Sequence, residues 1–487
     1  MPSVTDTAPT NRPLVLSPFR GLRYAADQVS DLAAVTSPPY DVLDRETVAA
    51  LAAAEPHNIV RVILPRPAGP ADWTTDRRPP AAEENGREHY RRAAALFASW
   101  REDGVLRVDG EPALYVYEQR TETLTGRPVI LRGLLGAVGL RQAEEGVILP
   151  HEDVLPGPVA DRLALMSACA ANLEPILLVY DGGGVASELV EAAVRVAPLI
   201  DAPATDGSEH RIWRISDPTA LAAIAADLAP RQALIADGHH RYATYLRLQE
   251  EMRARGAGAG PWDSGLALLV DQRAHPLELT AIHRTVSGVT LADVTAAAAS
   301  AFRIDSYGAD ATQAHAALAA CRGERHAFLL TDGKQWELLS LPLTGQAAGA
   351  QEGTRAPGAG RPSPEGAEEA RLDTGEPRHL PALDTEVLHG MLLERIVGVG
   401  ENQIGYDHTE AAAAQRARDG GGIAILLNPV DVATVQAVAR AGGRMPRKST
   451  SFGPKPRTGF VMRAFGEHEP APSEQEGGLD RLRPRSD

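Results

Sequence analysis

The most constraining feature of the sequence is a change from strand-like to helix-like patterning between residues 232 and 246. Ala233 to Ala236 form a short apolar run that is typical of a buried strand. Tyr242 and Tyr245 follow at helical spacing, so the polar cluster from Asp237 to Arg241 falls at a strand-to-helix junction. Together with further strand and helix patterns along the chain, this junction predicts a mixed α/β (α+β) fold.

The junction carries groups that suit an anion. Gly238 allows a tight turn, and the first N–H groups of the following helix lack intrahelical partners. His239, His240 and Arg241 add donors and positive charge, which favours phosphate as the ligand. We predict that Gly238 and Arg241 bind phosphate and that Asp237, His239 and His240 take part in catalysis. The alternative is that the two histidines only cap and pack the turn; adjacent histidines do not have the spacing of a helical zinc pair.

Charge and cysteine content exclude several classes of protein. The chain of 487 residues has a formal net charge of −15 and a pI near 5.5, which argues against a nucleic-acid partner, because such binding depends on clustered Lys and Arg. Two cysteines, Cys169 and Cys321, supply neither a disulfide framework nor a zinc site. Neither a signal peptide nor a membrane span is predicted. A reducing cytoplasm is therefore the expected location.

A second candidate site is the basic segment, the proline-containing stretch from Met445 to Gly459. Prolines restrict the backbone, so the cations of this segment are expected to be held in place for a phosphate or carboxylate. Its predicted ligand-binding residues are Arg447, Lys448, Ser449, Thr450, Lys455 and Arg457. The alternative is a basic surface loop that pairs with acidic neighbours.

Three shorter polar motifs complete the candidates. His151 and Glu152 lie in a proline-bounded loop, where the pair could supply a general base or a magnesium ligand. Tyr40 and Asp41 follow two prolines in a turn that presents their side chains, and Asn58 precedes an apolar run. We predict that Tyr40, Asp41 and Asn58 bind substrate, with Asp41 as an alternative to Glu152 as a metal ligand. Turns and strand ends also use such residues for purely structural purposes.

Composition and patterning divide the chain into six segments. Low apolar content predicts disorder at both ends and in one internal insertion. The segments are a disordered N-terminus (1–13), an N-terminal α/β part (14–200), a central part with the junction (201–342), a disordered insertion or linker (343–381), a C-terminal part with the basic segment (382–465) and a disordered tail (466–487). Apolar runs at 32–35 and 57–65 are predicted strands, and 113–118 with 129–140 a hairpin.

Several of these motifs resemble the bacterial and archaeal family known as domain of unknown function one thousand and fifteen. The resemblance is carried by Pro38 to Val42, His57 to Arg61, Pro150 to Glu152, Ala236 to Tyr242 and Met445 to Lys455. These blocks are spread over nearly the whole chain, and they are specific only in combination. Asp153 and Val154 stand where the family pattern has a basic residue and a threonine, which speaks against phosphate binding by that loop.

The Asp-Gly-His-His-Arg block is also similar to the signature of the ParB/sulfiredoxin-like fold. That group includes chromosome-partition nucleotidases, sulfiredoxin and kinases of free serine, which handle a nucleotide or phosphate at this turn. The resemblance implies a ParB/sulfiredoxin-like central α/β unit with additional N- and C-terminal α/β segments. It also implies ADP or ATP and Mg²⁺ as cofactors. The resemblance to the family of unknown function implies a link to serine biosynthesis.

The predicted function is phosphoryl transfer on a small hydroxylated metabolite, because such reactions need mainly positioning and cations. The cations of the junction and the basic segment would hold the phosphate, and Glu152 or Asp41 would activate a hydroxyl or water. The resemblance implies serine or O-phosphoserine as substrate; kinase, phosphatase and nucleotide-linked transfer all stay open. Two alternatives are a ParB-like, nucleotide-dependent DNA-binding partition protein and a non-catalytic sensor of a phosphorylated metabolite.

Overall fold

The structure is a computed structural model that describes residues 12–65, 84–122, 126–204, 206–343, 383–446 and 448–466. The predicted disordered segments 1–13, 343–381 and 466–487 lie almost wholly outside these ranges, and so does Arg447. The described residues form a mixture of sheets and helices, which confirms the predicted α/β class.

Strands and helices alternate along most of the chain. The strands are β1 (Leu16–Ser17), β2 (Leu22–Tyr24), β3 (Leu106–Val108), β4 (Leu114–Glu122), β5 (Pro128–Gly139), β6 (Ile148–Leu149), β7 (Ala171–Asn172), β8 (Ile176–Tyr180), β9 (Ile200–Pro203), β10 (Glu209–Ile215), β11 (Ala233–Asp237), β12 (Ser264–Asp271), β13 (Glu278–Thr280), β14 (His283–Val286), β15 (Arg303–Gly308), β16 (Arg325–Thr331), β17 (Trp336–Pro342), β18 (Ile404–Asp407), β19 (Ile423–Leu427), β20 (Ser451–Gly453) and β21 (Arg463–Ala464).

The α-helices are α1 (Leu32–Val35), α2 (Arg45–Ala54), α3 (Val60–Ile63), α4 (Glu84–Glu102), α5 (Pro156–Cys169), α6 (Val185–Ala193), α7 (Pro218–Leu228), α8 (His239–Ala254), α9 (Leu291–Ala298), α10 (Ala311–Ala320), α11 (Asp384–Glu386), α12 (Glu410–Gly420) and α13 (Val432–Arg440). A π-helix spans Val387–Val397, and short 3₁₀ turns occur at Ala143–Glu145, Pro261–Asp263 and Glu401–Gln403. Among the described residues, no helix has the length and apolar character needed to cross a lipid bilayer.

The chain forms two units. Unit 1 comprises Met1–Thr280 and Asp431–Asp487, and unit 2 comprises Ala281–Val430. These boundaries differ from the predicted segments because the C-terminal part of the chain returns to unit 1, where β20 pairs with β13 and β21 pairs with β7. Local sequence patterns carry no information on such long-range pairing, so segment boundaries drawn from composition miss it.

A mixed sheet organises unit 1. Its strands lie in the order β6, β11, β8, β12, β5, β4, β10 and β9, with β1 attached to β5. β11 runs parallel to β6, and β8 runs parallel to β12, whereas the remaining pairs are antiparallel. The predicted hairpin is present as β4 and β5. Strand β8 is buried at every position, as expected for a strand covered on both faces.

Unit 2 contains an antiparallel sheet with helices packed on it. Its strands lie in the order β15, β17, β16, β19, β14 and β18. Phe328 of β16 and Ile425 of β19 lie in a core that Leu388 and Leu392 of the π-helix complete. The residues of the predicted candidate sites that the structure describes all belong to unit 1.

Two predicted strands are wrong, because 32–35 forms α1 and 57–65 contains α3. The side chain of Asp31 caps the first turn of α1. Asn58 Oδ1 accepts the backbone N–H of Val60 at 2.9 Å, which favours a turn of helix at the start of the apolar run. Strand preference depends on neighbours in a sheet, and these short runs find local hydrogen bonds instead.

Candidate functional site

The predicted strand-to-helix junction is present, since β11 ends at Asp237 and α8 begins at His239. Gly238, between them, has φ of 91°, and a Cβ atom at this position would lie 2.9 Å from Ile176 Cγ2. Glycine suits both the positive φ and the close approach. The N-cap residue, Gly238, makes no side-chain hydrogen bond to α8. The N–H groups in the first turn of a helix lack intrahelical partners, and they suit an anion.

Four charged side chains form a network beside this turn. Arg241 Nη2 lies 2.5 Å from Asp237 Oδ2, and Lys455 Nζ lies 2.6 Å from Asp237 Oδ1. The same ammonium group lies 2.7 Å from Asp41 Oδ2. Burial opposes ionisation of Asp237, but the charges of Lys455 and Arg241 outweigh this effect and hold its pKa below the ordinary value. The network joins the junction to the basic segment.

Arg241 is buried, yet its hydrogen-bonding capacity is not used up. Its Nη1 donates to the carbonyl oxygen of Pro175, and its Nη2 donates to Asp237. Among the described residues, no atom accepts a hydrogen bond from its Nε. A buried donor without an acceptor costs free energy, and an oxygen of a bound anion could satisfy it.

A hydrogen-bonded chain connects the His-Glu loop to the basic segment. The backbone N–H of Met445 donates to the carbonyl of His151 at 2.6 Å. Thr450 Oγ1 donates to Glu152 Oε1 at 3.1 Å and lies 3.1 Å from His151 Nε2. Because a hydroxyl has a single proton, His151 Nε2 donates to Thr450 when Thr450 donates to Glu152. The loop and the segment therefore share one set of polar contacts.

Burial sets the ionisation states of Glu152 and His151. It raises the pKa of Glu152 to about 6, although the Thr450 hydrogen bond and the charge of Lys448 act in the opposite direction. It also lowers the pKa of His151 to about 4. At neutral pH, Glu152 is therefore a carboxylate with elevated basicity, and His151 is a neutral donor. A carboxylate of this kind is suited to accept a proton from a hydroxyl group.

The two histidines of the junction act as hydrogen-bond acceptors. His239 Nε2 accepts the backbone N–H of His151 at 3.3 Å, and His240 Nε2 accepts that of Leu155 at 3.0 Å. Each ring is then neutral with its proton on Nδ1. Burial lowers the pKa of His239 well below its ordinary value, and burial with the charge of Lys448 lowers that of His240. Both Nε2 atoms therefore already accept backbone hydrogen bonds and are not free to take up a proton in the catalytic role predicted for these two histidines.

The basic segment adds a turn with unusual features next to Thr450. Lys448 is exposed and has φ of 57°, which is uncommon for a residue other than glycine. Ser449 is 4% exposed, and its Oγ has no hydrogen-bond partner among the described residues. Uncommon backbone conformations and unsatisfied buried polar atoms concentrate at ligand sites.

The carboxylates of the site are not arranged for a metal ion. Asp41 and Asp237 both contact Lys455 Nζ, so an ammonium group lies where two carboxylate oxygens converge. Glu152 accepts from Thr450 instead. In the part of the chain that the structure describes, no group of three or more His, Cys, Asp or Glu side chains is placed to hold a metal. The residues thus do not fit the predicted role of Glu152 or Asp41 as a magnesium ligand.

Comparison with known proteins gives a family. A family model described as protein of unknown function (DUF1015) matches residues 16–360, which is 345 of the 487 residues. The chain belongs to this family. The match confirms the resemblance drawn from the sequence motifs. A search among curated proteins found no significant match.

Solved structures with similarity to this DUF1015 protein have low identity to it. A point mutant of free serine kinase in complex with ADP is 13% identical, with 63% of this chain and 84% of that chain covered and a TM-score of 0.31. A conserved hypothetical protein from Pyrococcus furiosus is 14% identical, with 63% and 87% covered and a TM-score of 0.30. SbnI with a C-terminal truncation, from Staphylococcus aureus, is 11% identical, with 66% and 82% covered and a TM-score of 0.31.

Two residues predicted to bind substrate in this DUF1015 protein have structural partners instead. Asn58 is fully buried, and its amide group donates to the carbonyls of Ala34 and Thr36. Arg457 is 5% exposed; its Nε donates to Thr36 Oγ1, and its Nη1 pairs with Asp206 Oδ2 at 2.9 Å. These side chains hold the backbone around the site, and their polar atoms are committed to protein groups.

Sequence reasoning missed a buried pair behind the turn at Tyr40. Glu174 is 5% exposed and accepts hydrogen bonds from the Tyr40 backbone N–H and from Thr458 Oγ1, each at 3.1 Å. Arg162 places its guanidinium 4.4 Å from the centre of the Tyr40 ring. The one available signal was a glutamate directly before Pro175 and a buried strand, which is too common to single out.

Proposed function

We propose that this protein transfers a phosphoryl group to or from a hydroxyl group of a small metabolite. The observation that carries the proposal is the uncapped first turn of α8, flanked by the unsatisfied Nε of Arg241 and by Lys455. These groups are the donors and cations that stabilise a transferring phosphoryl group. They act in a buried setting, where electrostatic interactions are stronger than in water.

Glu152 is the general base of the proposal. Its carboxylate has a pKa of about 6, so it is ionised at neutral pH and still basic enough to take a proton. Thr450 holds it by a hydrogen bond of 3.1 Å, and the charges of Lys448, Asp237 and Lys455 all act on it. The carboxylate would remove the proton from the attacking hydroxyl or water as the new bond to phosphorus forms and the bond between phosphorus and the oxygen of the phosphoryl donor breaks. In the reverse direction the same group would return that proton to the leaving oxygen.

Lys455 has a different part in the proposal. Its ammonium group is held by Asp41 and Asp237, and these two carboxylates outweigh burial and raise its pKa above the ordinary value. Lys455 therefore stays charged and fixed in position. A fixed cation can neutralise charge on the phosphoryl group without reorganising during the reaction.

Serine and O-phosphoserine are the substrates that the family resemblance suggests. Both offer a primary hydroxyl or its phosphate ester on a small body. The direction of transfer is part of the test: serine plus ATP, O-phosphoserine plus ADP, and O-phosphoserine plus water are the three reactions to compare.

Phosphorus NMR of the purified protein with each substrate pair, with and without magnesium, tests the proposal. We expect one of the three reactions to proceed, and Glu152→Gln to slow it by about 100-fold or more. Binding of O-phosphoserine without turnover in any mixture would point to a sensor. If neither binding nor turnover is observed in any mixture, a phosphate site at this position is ruled out.

A further inference from the structure

Among the described residues, Thr450 carries the hydroxyl group that is hydrogen-bonded to the proposed base. Its Oγ1 donates to Glu152 Oε1 at 3.1 Å, and His151 Nε2 lies 3.1 Å from the same oxygen. A serine or threonine hydroxyl becomes a nucleophile when a general base lies within hydrogen-bond reach of it. Glu152 has that position, and the N–H of His151 can stabilise negative charge that develops on Oγ1.

This hydroxyl lies close to the first turn of α8. The ring of His151, which contacts Thr450, packs edge-on against the ring of His239, and 4.4 Å separate the two ring centres. The backbone N–H of His151 also donates to His239 Nε2 at 3.3 Å. His239 is the first residue of α8. One imidazole ring therefore separates Thr450 from the turn at which the proposed phosphate site begins.

Two lysines of the basic segment supply positive charge to this region. Burial raises the pKa of Glu152, and the charges of Lys448 and Lys455 oppose that rise. Burial lowers the pKa of His240, in the first turn of α8, and the charge of Lys448 adds to that fall. The ammonium group of Lys455 also lies 2.6 Å from Asp237 Oδ1. A phosphoryl group held here would thus lie near the cations that its transfer requires.

The neighbouring hydroxyl group of Ser449 is not an equivalent candidate. Its Oγ has no hydrogen-bond partner among the described residues, so no base is placed to activate it. Ser449 and Thr450 are both buried, but only Thr450 contacts both a carboxylate and an imidazole. A buried hydroxyl without a partner can donate to an oxygen of a bound phosphoryl group. Ser449 is therefore suited to binding, and Thr450 to covalent chemistry.

We propose that Thr450 Oγ1 carries the phosphoryl group between the two substrates as a phosphothreonine intermediate. The proposal rests on the proposed function and names the atom that first receives the phosphoryl group. In the first half-reaction, Glu152 takes the hydroxyl proton of Thr450 and the bond between Oγ1 and phosphorus forms. The bond between phosphorus and the oxygen of the donor, a phosphate ester or anhydride, breaks at the same time. The proton then passes from Glu152 to the leaving oxygen.

The second half-reaction reverses these steps with the acceptor. Glu152 takes the proton of the incoming hydroxyl or water, whose oxygen forms a bond to phosphorus. The bond between phosphorus and Thr450 Oγ1 breaks, and Oγ1 recovers its proton from Glu152. His151 Nε2 donates to Oγ1 while that oxygen carries negative charge. Because Oγ1 is the nucleophile in one half and the leaving group in the other, a single base serves both.

Isotope exchange tests the intermediate, because the first half-reaction can then run forwards and backwards without the second substrate. We expect labelled serine to enter O-phosphoserine with no nucleotide present, or labelled ADP to enter ATP with no serine present. Acid quenching of the protein mixed with O-phosphoserine or ATP that carries a radioactive phosphoryl group should leave label on the protein. Tandem mass spectrometry should locate that phosphoryl group on Thr450.

Thr450→Val removes the hydroxyl group and keeps the shape of the side chain. We expect this variant to lose the label and to slow the exchange by about 100-fold or more. Thr450→Ser keeps a hydroxyl group and should retain both. The matched control is Thr219→Val, the same substitution at an exposed position of α7, which should behave like the unmodified protein. Label and exchange in the unmodified protein decide the question if Thr450→Val fails to fold.

The outcomes separate the intermediate from the proposed function. Transfer in any of the three reactions, with neither label nor exchange, would overturn the intermediate and leave the proposed function standing. A phosphoryl group found on Ser449 or on any other residue would overturn the assignment to Thr450. If transfer, label and exchange are all missing in every mixture, both the intermediate and the proposed function are overturned.

Discussion

Glu152 is the residue at which function and stability can be separated. Its pKa of about 6 lies above the ordinary value of 4.5, so the folded protein binds more protons than the unfolded chain between these pH values. Stability contributed by this group therefore falls as pH rises from about 4.5 to about 6 and stays lower above it. The activity that depends on the carboxylate rises over the same interval.

Glu152→Gln should accordingly abolish most activity and stabilise the fold. Glutamine keeps an acceptor for Thr450 and removes the buried charge, so we expect the free energy of unfolding at pH 7 to increase by roughly 1–2 kcal/mol. Chemical denaturation at pH 7 measures the gain, and a pH–rate profile of the unmodified protein should rise through about pH 6. A variant that is both inactive and less stable would contradict the assignment of Glu152.

Asn58 is expected to contribute to the stability of the fold and not to ligand binding. Asn58→Ala removes the side-chain bonds to Ala34, Thr36 and Val60, and we expect a loss of about 2–4 kcal/mol in the free energy of unfolding. The dissociation constant for O-phosphoserine, measured well below the melting temperature, should remain within twofold of that of the unmodified protein. A large loss of affinity in a folded variant would restore Asn58 to the binding site.

Residue types alone could indicate a candidate site but could not show which partner each of its side chains contacts. Lys455 and Arg457 are two positions apart in the same basic segment, yet Lys455 pairs with Asp237 whereas Arg457 is committed to Thr36 and Asp206. Which partner each cation meets depends on distances between parts of the chain that are remote in sequence. The same limit applies to His239, because its acceptor role follows from the position of the His151 backbone.

At the scale of elements, the start of α8 was predictable because periodicity changes within a few residues there. The helix α3 was not, because its β-branched run is short and the deciding contacts come from Asn58. Strand order in unit 1 was equally out of reach, since β11 lies between β6 and β8 and neither precedes it directly. Sequence patterns therefore indicated most elements but not their neighbours.

The geometry at the start of α8 leads to a prediction for Gly238. Gly238→Ala would force a Cβ into contact with Ile176 Cγ2 at 2.9 Å and would impose φ of 91° on alanine. We expect a loss of about 2 kcal/mol or more in the free energy of unfolding, and weaker O-phosphoserine binding because the first turn must shift. Thermal unfolding and calorimetry measure the two effects.

Gly258→Ala is the control for this substitution. No atom lies within 4 Å of the position that its Cβ would take. Stability and affinity should both stay close to those of the unmodified protein or improve slightly. Equal effects of the two substitutions would argue against a special backbone requirement at Gly238.

At the scale of the molecule, unit 1 depends on the return of the chain after unit 2. Arg463 is fully buried and donates to Asn172 Oδ1 at 2.9 Å and to the carbonyl of Ser264 at 3.0 Å. A chain that ends at Val430 lacks this residue together with Thr450 and Lys455. We expect that chain to lose the cooperative unfolding of unit 1 and all O-phosphoserine binding.

A chain that ends at Gly466 provides the comparison. It retains every described contact of the site, so its melting temperature and its dissociation constant for O-phosphoserine should match those of the full chain. Circular dichroism and calorimetry on the two shortened chains give both quantities. Ligand binding by the chain that ends at Val430 would show that the basic segment is dispensable.

The contact between Lys455 and Asp237 also sets an order of events during synthesis. Residues 281–430 are translated before the basic segment, so unit 2 emerges from the ribosome first. The carboxylate of Asp237 lacks its contact with the ammonium group of Lys455 until Lys455 has emerged. A chain whose translation stops between Val430 and Lys455 would contain all of unit 2 but would lack the ammonium group of the anion site.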